Sequence, residues 1–197
     1  DIVKDRLYTC KSDSVARRSC QTSLDYLLNI LVRLIAPILS YTAEEIWQSS
    51  ERLNSQEESI FLSNYNLSKI NEESTITKSD WSRIFEIKND VNQSIEEMRN
   101  KNKLKGSLDA KVCIEANKDD IRILEKLGTE LHFLFICSET NIIENNNFNI
   151  SVKPSNNQKC TRCWHRHESV GNSKKHPDLC NRCIENIDDK GEKRSFV

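Results

Sequence analysis

The chain has 197 residues, 37% of them apolar and 30% charged, with 29 basic residues against 30 acidic ones and a formal charge of −1. That much apolar material excludes a disordered tail and suffices for one or two folded cores, while the balanced charge excludes a whole-chain field that would draw in nucleic acid or an anionic membrane nonspecifically. Four Gly and three Pro are few for a fold of many tight turns, so helices are expected rather than an all-β sandwich or barrel.

The first region, to residue 102, reads as helical. Ser12 or Asp13 is placed to cap a helix in which Leu24, Leu27, Leu28, Leu31 and Ile35 recur at spacings of three and four. Ile30, Val32, Leu34, Ile38 and Leu39 widen that stripe, so neighbours are expected to cover most of the helix, and Pro37 kinks or ends it. The longest apolar stretch, 27–39, contains Asn29, Arg33 and Pro37 and is too short and interrupted to span a bilayer. Thr42 and Glu45 have the spacing of a capping box ahead of Ile46 and Trp47, which predicts a short second helix. Residues 49–79, rich in Ser, Asn and Glu around Ile60-Phe61-Leu62, read as a surface connection. A third helix starts near Ser79 or Asp80 and carries Trp81, Ile84, Phe85, Val91, Ile95 and Met98 at helical spacing to about Arg99. Three such helices suffice for an antiparallel bundle.

The pattern changes at Gly106. Leu108, Ala110, Val112, Ile114 and Ala116 alternate with Asp109, Lys111, Cys113 and Glu115, the period of a half-buried strand. Asp119 and Asp120 suit a helix N-terminus and Gly128 a helix end, while Phe133–Cys137 and Phe148–Val152 read as two more strands around the polar loop Asn145-Asn146-Asn147. The expected organisation is a helical domain over 1–102, a small α+β junction over 103–153 and a metal-binding finger over 154–197, with Pro154 to Gln158 as a linker.

Eight cysteines divide unevenly. Cys10, Cys20, Cys113 and Cys137 stand alone and read as inert packing or surface thiols, which fits a reducing, intracellular setting better than a disulfide framework. Cys160-x-x-Cys163 and Cys180-x-x-Cys183 form two knuckles, each aiming two thiolates at one point, and together supply a closed tetrahedral zinc site. With no position left for water, such a zinc is structural, and it supplies much of the folding free energy of a segment with little apolar material. Two other readings stand beside it: a redox pair of thioredoxin type, disfavoured by the lack of a neighbouring βαβ pattern, and a site in which His165, His167 or His176 replaces one cysteine.

Between the outer ligands lie five basic residues against two acidic ones, and a four-thiolate zinc centre brings −2, leaving a footprint of about +1. Binding must therefore rest on placed contacts. Trp164, beside Arg162 and Arg166, is the combination that stacks on an unpaired base and pairs with phosphate; the plainer reading is that Trp164 packs over the knuckles. Elsewhere Arg17-Arg18 reads as a solvated pair, His132 as a strand-edge histidine, and no glycine-rich phosphate loop exists.

Several segments, in order, resemble one family. Asp5-Arg6-Leu7-Tyr8, Gln21-Thr22, the run from Ala36-Pro37 to Ile46-Trp47, Gly106-Ser107-Leu108-Asp109-Ala110, Cys160-Thr161-Arg162-Cys163-Trp164 and His176-Pro177-Asp178-Leu179-Cys180-Asn181-Arg182-Cys183 are similar to the C-terminal part of bacterial-type isoleucyl-tRNA synthetases. The resemblance covers nearly the whole chain, although the loop from Lys103 to Leu108 reads shorter than the family's usual form. It implies a mainly α fold: a helical bundle of the class I synthetase anticodon-binding type, a small α+β junction and a C-terminal four-cysteine zinc finger. It further implies binding of the isoleucine tRNA's anticodon stem-loop by a cytoplasmic, monomeric, non-membrane enzyme, with Arg162, Trp164, Arg166 and Arg182 as RNA contacts and one structural Zn²⁺ on Cys160, Cys163, Cys180 and Cys183. ATP, catalysis and editing belong upstream in that family. Its signatures His-Ile-Gly-His and Lys-Met-Ser-Lys-Ser do not occur here, where the sole methionine is Met98, and the opening Asp1-Ile2-Val3-Lys4 reads as neither a signal peptide nor a natural start. A similar finger occurs in formamidopyrimidine-DNA glycosylases, so a repair glycosylase and a zinc-ribbon interaction module are the competing expectations.

Overall fold

Helix starts fall where a side-chain oxygen takes an otherwise unpaired first-turn N–H. In the computed structural model, which describes residues 2–54, 57–64 and 74–196, the short α1 (Lys4–Thr9) precedes α2 (Val15–Ile35). Ser14 Oγ accepts from Arg17 N at 3.3 Å, so the cap lies at Ser14 rather than at the expected Ser12 or Asp13. Helix α2 ends just before the Ala36-Pro37 pair, as the proline requires. Helix α3 (Ser40–Ser49) begins earlier than expected: its cap position is Leu39, which has no side-chain acceptor, and Thr42 and Glu45 lie inside the helix instead of closing a capping box.

The chain divides into two compact units, Arg18–Glu73 on the one hand and Asp1–Arg17 with Ser74–Val197 on the other. In the first, α3 and α4 (Glu51–Asn54) contribute to a core of Val32, Ala36, Ala43, Trp47, Leu53 and Ile60. Trp47 is fully buried, its indole N–H donates to the Glu57 carbonyl at 2.9 Å, and the Arg33 guanidinium lies 4.9 Å from its ring centre. Glu44 pins the following turn by accepting from Ser59 Oγ and Ile60 N. From the end of α2, Val32 enters this core, and Ala36 follows it just beyond the helix. Of the expected stripe only its end, Ile35, packs against this core, while Leu27 is 58% and Leu31 54% exposed. Of the expected connection over 49–79, positions 55, 56 and 65–73 lie outside the described residues.

In the second unit, α5 (Lys78–Asn100) opens with a complete capping box, Thr77 accepting from Asp80 N and Asp80 accepting from Thr77 N. Its Ile84, Ile87, Val91 and Ile95, at steps of three and four, are buried. They pack with β1 (Ala110–Ala116), whose Ala110, Val112, Ile114 and Ala116 are all fully buried, the alternation legible in the sequence. After α6 (Lys118–Glu125) the apolar run at 131–137 departs from expectation. It forms α7 (Leu131–Phe135), not a strand, because Leu131, Leu134 and Phe135 recur at three and four and share a buried face. His132 is accordingly a helical residue rather than a strand-edge one.

The strand the sequence concealed is β2 (Glu139–Glu144), which pairs parallel with β1, while β3 (Asn149–Pro154) pairs antiparallel on β1's other edge, giving the order β2-β1-β3. The β1-to-β2 connection through α6 and α7 is therefore a parallel crossover, which the sequence reading did not foresee. The finger follows, ending in α8 (Asn181–Asp188), for which Cys180 is the cap residue. No helix among the described residues is long and apolar enough to cross a membrane.

Candidate metal centre and its aromatic face

Two backbone turns assemble the centre. The bridge between Lys159 and Arg166 closes the first knuckle, with Cys160 N donating to His165 O at 2.9 Å and Trp164 N to Cys160 O at 3.0 Å. The second is pinned where Cys180 opens α8 and its N–H donates to Cys160 Sγ at 3.4 Å. All four sulfurs lie within 4.8 Å of one another, with Cys163 and Cys180 Sγ 3.7 Å apart. A tetrahedron of 2.3 Å Zn–S bonds requires an edge of about 3.8 Å, so the donor set fits zinc without rearrangement.

The chemistry agrees with the geometry. The Cys163, Cys180 and Cys183 thiols are buried side by side and share hydrogen bonds. A divalent cation at the centre would hold all four cysteines as thiolates. No histidine enters the group: His165 Nδ1 meets Cys163 O at 3.2 Å, His167 Nδ1 meets Ser169 Oγ at 2.7 Å, and His176 Nε2 meets Asp188 Oδ2 at 3.0 Å. The four cysteines form a structural zinc site. The sulfur spacing favours metal over a redox pair even though a parallel crossover is present in the same unit.

The four residues expected on the RNA-facing side have different surroundings. Trp164 is 60% exposed, carries a left-handed backbone at φ +66°, and has Lys159 Nζ 5.6 Å from its ring centre. It lines a half-open pocket of about 610 Å³ together with Tyr8, Leu108, Phe133, Ile136 and Arg162. Arg166 is held inward, its Nε on Asp109 Oδ1 at 2.6 Å and its Nη1 on Asn157 O at 3.0 Å. Arg162 Nη1 donates to Thr9 O at 2.6 Å, at the C-terminal end of α1 where carbonyls lack helical partners. Arg182 donates from Nη1 and Nη2 to the two oxygens of Asp5, at 2.9 and 2.8 Å, and from Nη2 to Thr9 Oγ1 at 2.9 Å.

Sequence reasoning missed the groups that receive these arginines. Asp5, Glu130 and Glu192 face Arg6, Arg182 and Arg194 in one charged network, and Arg194, with a side chain only 2% exposed, lies 3.6 Å from the centre of the Phe133 ring. Burial alone would raise the Asp5 carboxyl, but the hydrogen bonds and charge of Arg182, with the charge of Arg194, hold it down at about 2. The local hint was the placing of Arg162 and Arg182 directly before the second cysteine of each pair; their partners lie more than 150 residues away. Two of the isolated thiols, Cys10 and Cys137, are buried and quiet. Burial, with Glu192 nearby, pushes Cys10 up to about 11, and burial pushes Cys137 up to about 11.

Comparison with known proteins gives a consistent picture. A family model described as the anticodon-binding domain of tRNA ligase matches residues 1–114. A second, described as the zinc finger found in FPG and IleRS, matches residues 157–186. The isoleucine-tRNA ligase of Hahella chejuensis is 42% identical over 212 residues, and that of Francisella philomiragia 40% identical over 210. The same enzyme from Histophilus somni is 38% identical over 209 residues. Each alignment takes in 100% of this chain and 22% of the relative, so the chain spans under a quarter of the length of the curated relatives it matches.

Proposed function

The chain belongs to the anticodon-binding domain family of tRNA ligases, and from that premise we propose that it is the tRNA-recognition region of an isoleucine-tRNA ligase. The observation that carries the reading is an exposed indole fixed beside a lysine on a four-cysteine finger, the arrangement that stacks on an unpaired base. In the whole ligase, isoleucine is activated with ATP and joined to its tRNA. This chain holds neither catalytic signature, so its part is binding and orientation. The zinc held by Cys160, Cys163, Cys180 and Cys183 supplies folding free energy and no chemistry on substrate, since four thiolates leave no open position.

Within this reading the division into 1–102, 103–153 and 154–197 is functional, and the setting is a cytoplasmic monomer. Trp164 is the base contact. Lys159, near its ring, supplies charge toward phosphate, while Arg166 and Arg182 hold the fold, with Arg162 at the border between the two roles. A DNA glycosylase shares the finger type, but the match of residues 1–114 and the ligase relatives along the whole chain favour tRNA recognition over both that and a bare interaction module. The test is binding of the zinc-loaded chain to anticodon hairpins across a salt series. Preference for the isoleucine anticodon over a base-substituted one is expected, and equal affinity for both would overturn the proposal.

A further inference from the structure

Each cysteine pair carries an arginine immediately before its second ligand, and both arginines turn away from solvent onto α1. Arg162 takes the Thr9 carbonyl, and Arg182 takes Asp5 in a two-pronged pair plus Thr9 Oγ1. Arg194, in the segment after α8, reaches the same carboxylate, and Thr9 Oγ1 itself donates to Asp5 Oδ1 at 2.8 Å. Asp5 thus receives the finger helix, the C-terminal segment and α1's own last turn, and among the described residues it is the carboxylate on α1 that does so, while Glu192 also pairs with Arg182 and Arg194. On the same short helix Tyr8 is 73% exposed, and it lines one pocket with Trp164.

We infer that Asp5 is a positioning residue for RNA reading: by seating Arg182 and Arg194 it fixes the metal finger on α1, so that Tyr8 and Trp164 are presented together to the nucleic acid. The inference rests on the anticodon-reading proposal. Its physical basis is preorganisation. A finger docked through charge-assisted, two-pronged hydrogen bonds holds its indole in one orientation before RNA arrives, whereas a loosened finger must be ordered at the moment of binding.

The experiment is a double-mutant cycle on the zinc-loaded chain, with the isoleucine anticodon hairpin as probe. Asp5→Asn, which keeps the shape and removes the charge, is combined with Trp164→Ala, and Asp5→Glu serves as the conservative variant. Zinc content by elemental analysis and hydrogen exchange over α1 and the finger accompany each affinity. Asp5→Asn is expected to keep full zinc, to speed amide exchange in α1, and to weaken hairpin binding roughly tenfold in the Trp164 background but less than twofold in the Trp164→Ala background, the coupling typical of groups in one network. Asp5→Glu is expected to restore at least part of that loss. Equal losses in both backgrounds would reduce Asp5 to a stabilising residue and overturn the inference, as would Asp5→Asn binding like the parent chain. If the parent chain shows no preference for its anticodon, the underlying reading falls and this role falls with it; if the preference is present and untouched by Asp5→Asn, the positioning role alone falls.

Discussion

Trp164 occupies a backbone conformation, φ +66°, that ordinarily belongs to glycine, and this makes the size order of its variants informative. The left-handed region costs an L residue about 1–2 kcal/mol, and glycine escapes that cost. With the residue 60% exposed, roughly 100 Å² of indole is buried, worth up to about 2.5 kcal/mol at about 25 cal/mol/Å². Trp164→Ala and Trp164→Gly both lose that contribution. Alanine retains the strain. Glycine sheds it, minus about 0.5–1 kcal/mol for the greater freedom it gives the unfolded chain. At the mid-range of these values the glycine variant should therefore be the more stable of the two by about 0.8 kcal/mol, the reverse of the order at a regular helical or strand position. Urea unfolding followed by far-UV circular dichroism in excess zinc measures this. In parallel, both variants should lose the same 1–3 kcal/mol or so of hairpin affinity, because the stacking face is gone from each. An alanine variant as stable as the glycine one would refute the strain argument, and undiminished affinity in folded, zinc-loaded variants would refute the stacking argument.

Three other outcomes follow from the structure. Cys180→Ser, or stripping of the parent chain with a strong chelator, should unfold residues 159–188 while the capped helix α5 and its sheet persist; retained protection of the finger amides without metal would contradict a structural zinc. Burial, then the charge of His165, pushes His132 down to about 3, so the folded state keeps it neutral while the unfolded chain binds a proton near pH 6.5. The stability this provides is complete above pH 6.5 and is lost as pH falls toward 3. Between pH 7.5 and 5.5 the parent chain should lose about 1 kcal/mol more than His132→Gln does, and equal losses in urea titrations would exclude the histidine as the source. Thr77→Ala removes half of a complete capping box and should cost about 1 kcal/mol in the same titration, with no change in zinc content; a cost near zero would show the cap to be redundant with packing.

The sequence alone announces whatever repeats locally. Val112 and Ile114 announce a strand by alternation, Ile84 to Ile95 announce a helix by steps of three and four, and two Cys-x-x-Cys pairs announce a metal by ligand count. Where two periods compete, local information ran out. The run from Leu131 to Cys137 is short enough to suit a strand or a helix, and packing of Leu131, Leu134 and Phe135 into the core chose the helix. Glu139–Glu144 forms a strand because β1 offers it an unpaired edge, with adjacent Ile142 and Ile143 hiding any alternation.

The same division holds at the site. The zinc ligands were legible because thiolate geometry depends on neighbours a few residues apart. The roles of Arg162, Arg166 and Arg182 were not, since a guanidinium in sequence is equally suited to phosphate or to a carboxylate. Only the tertiary fold, by bringing Asp5 and Thr9 of α1 against the finger and Asp109 against Arg166, decided that these charges are met within the chain. Local chemistry determines which atoms can bind a metal or a base; long-range packing determines which charges remain for a partner, because an ion pair between residues 5 and 182 leaves no trace in either one's neighbours.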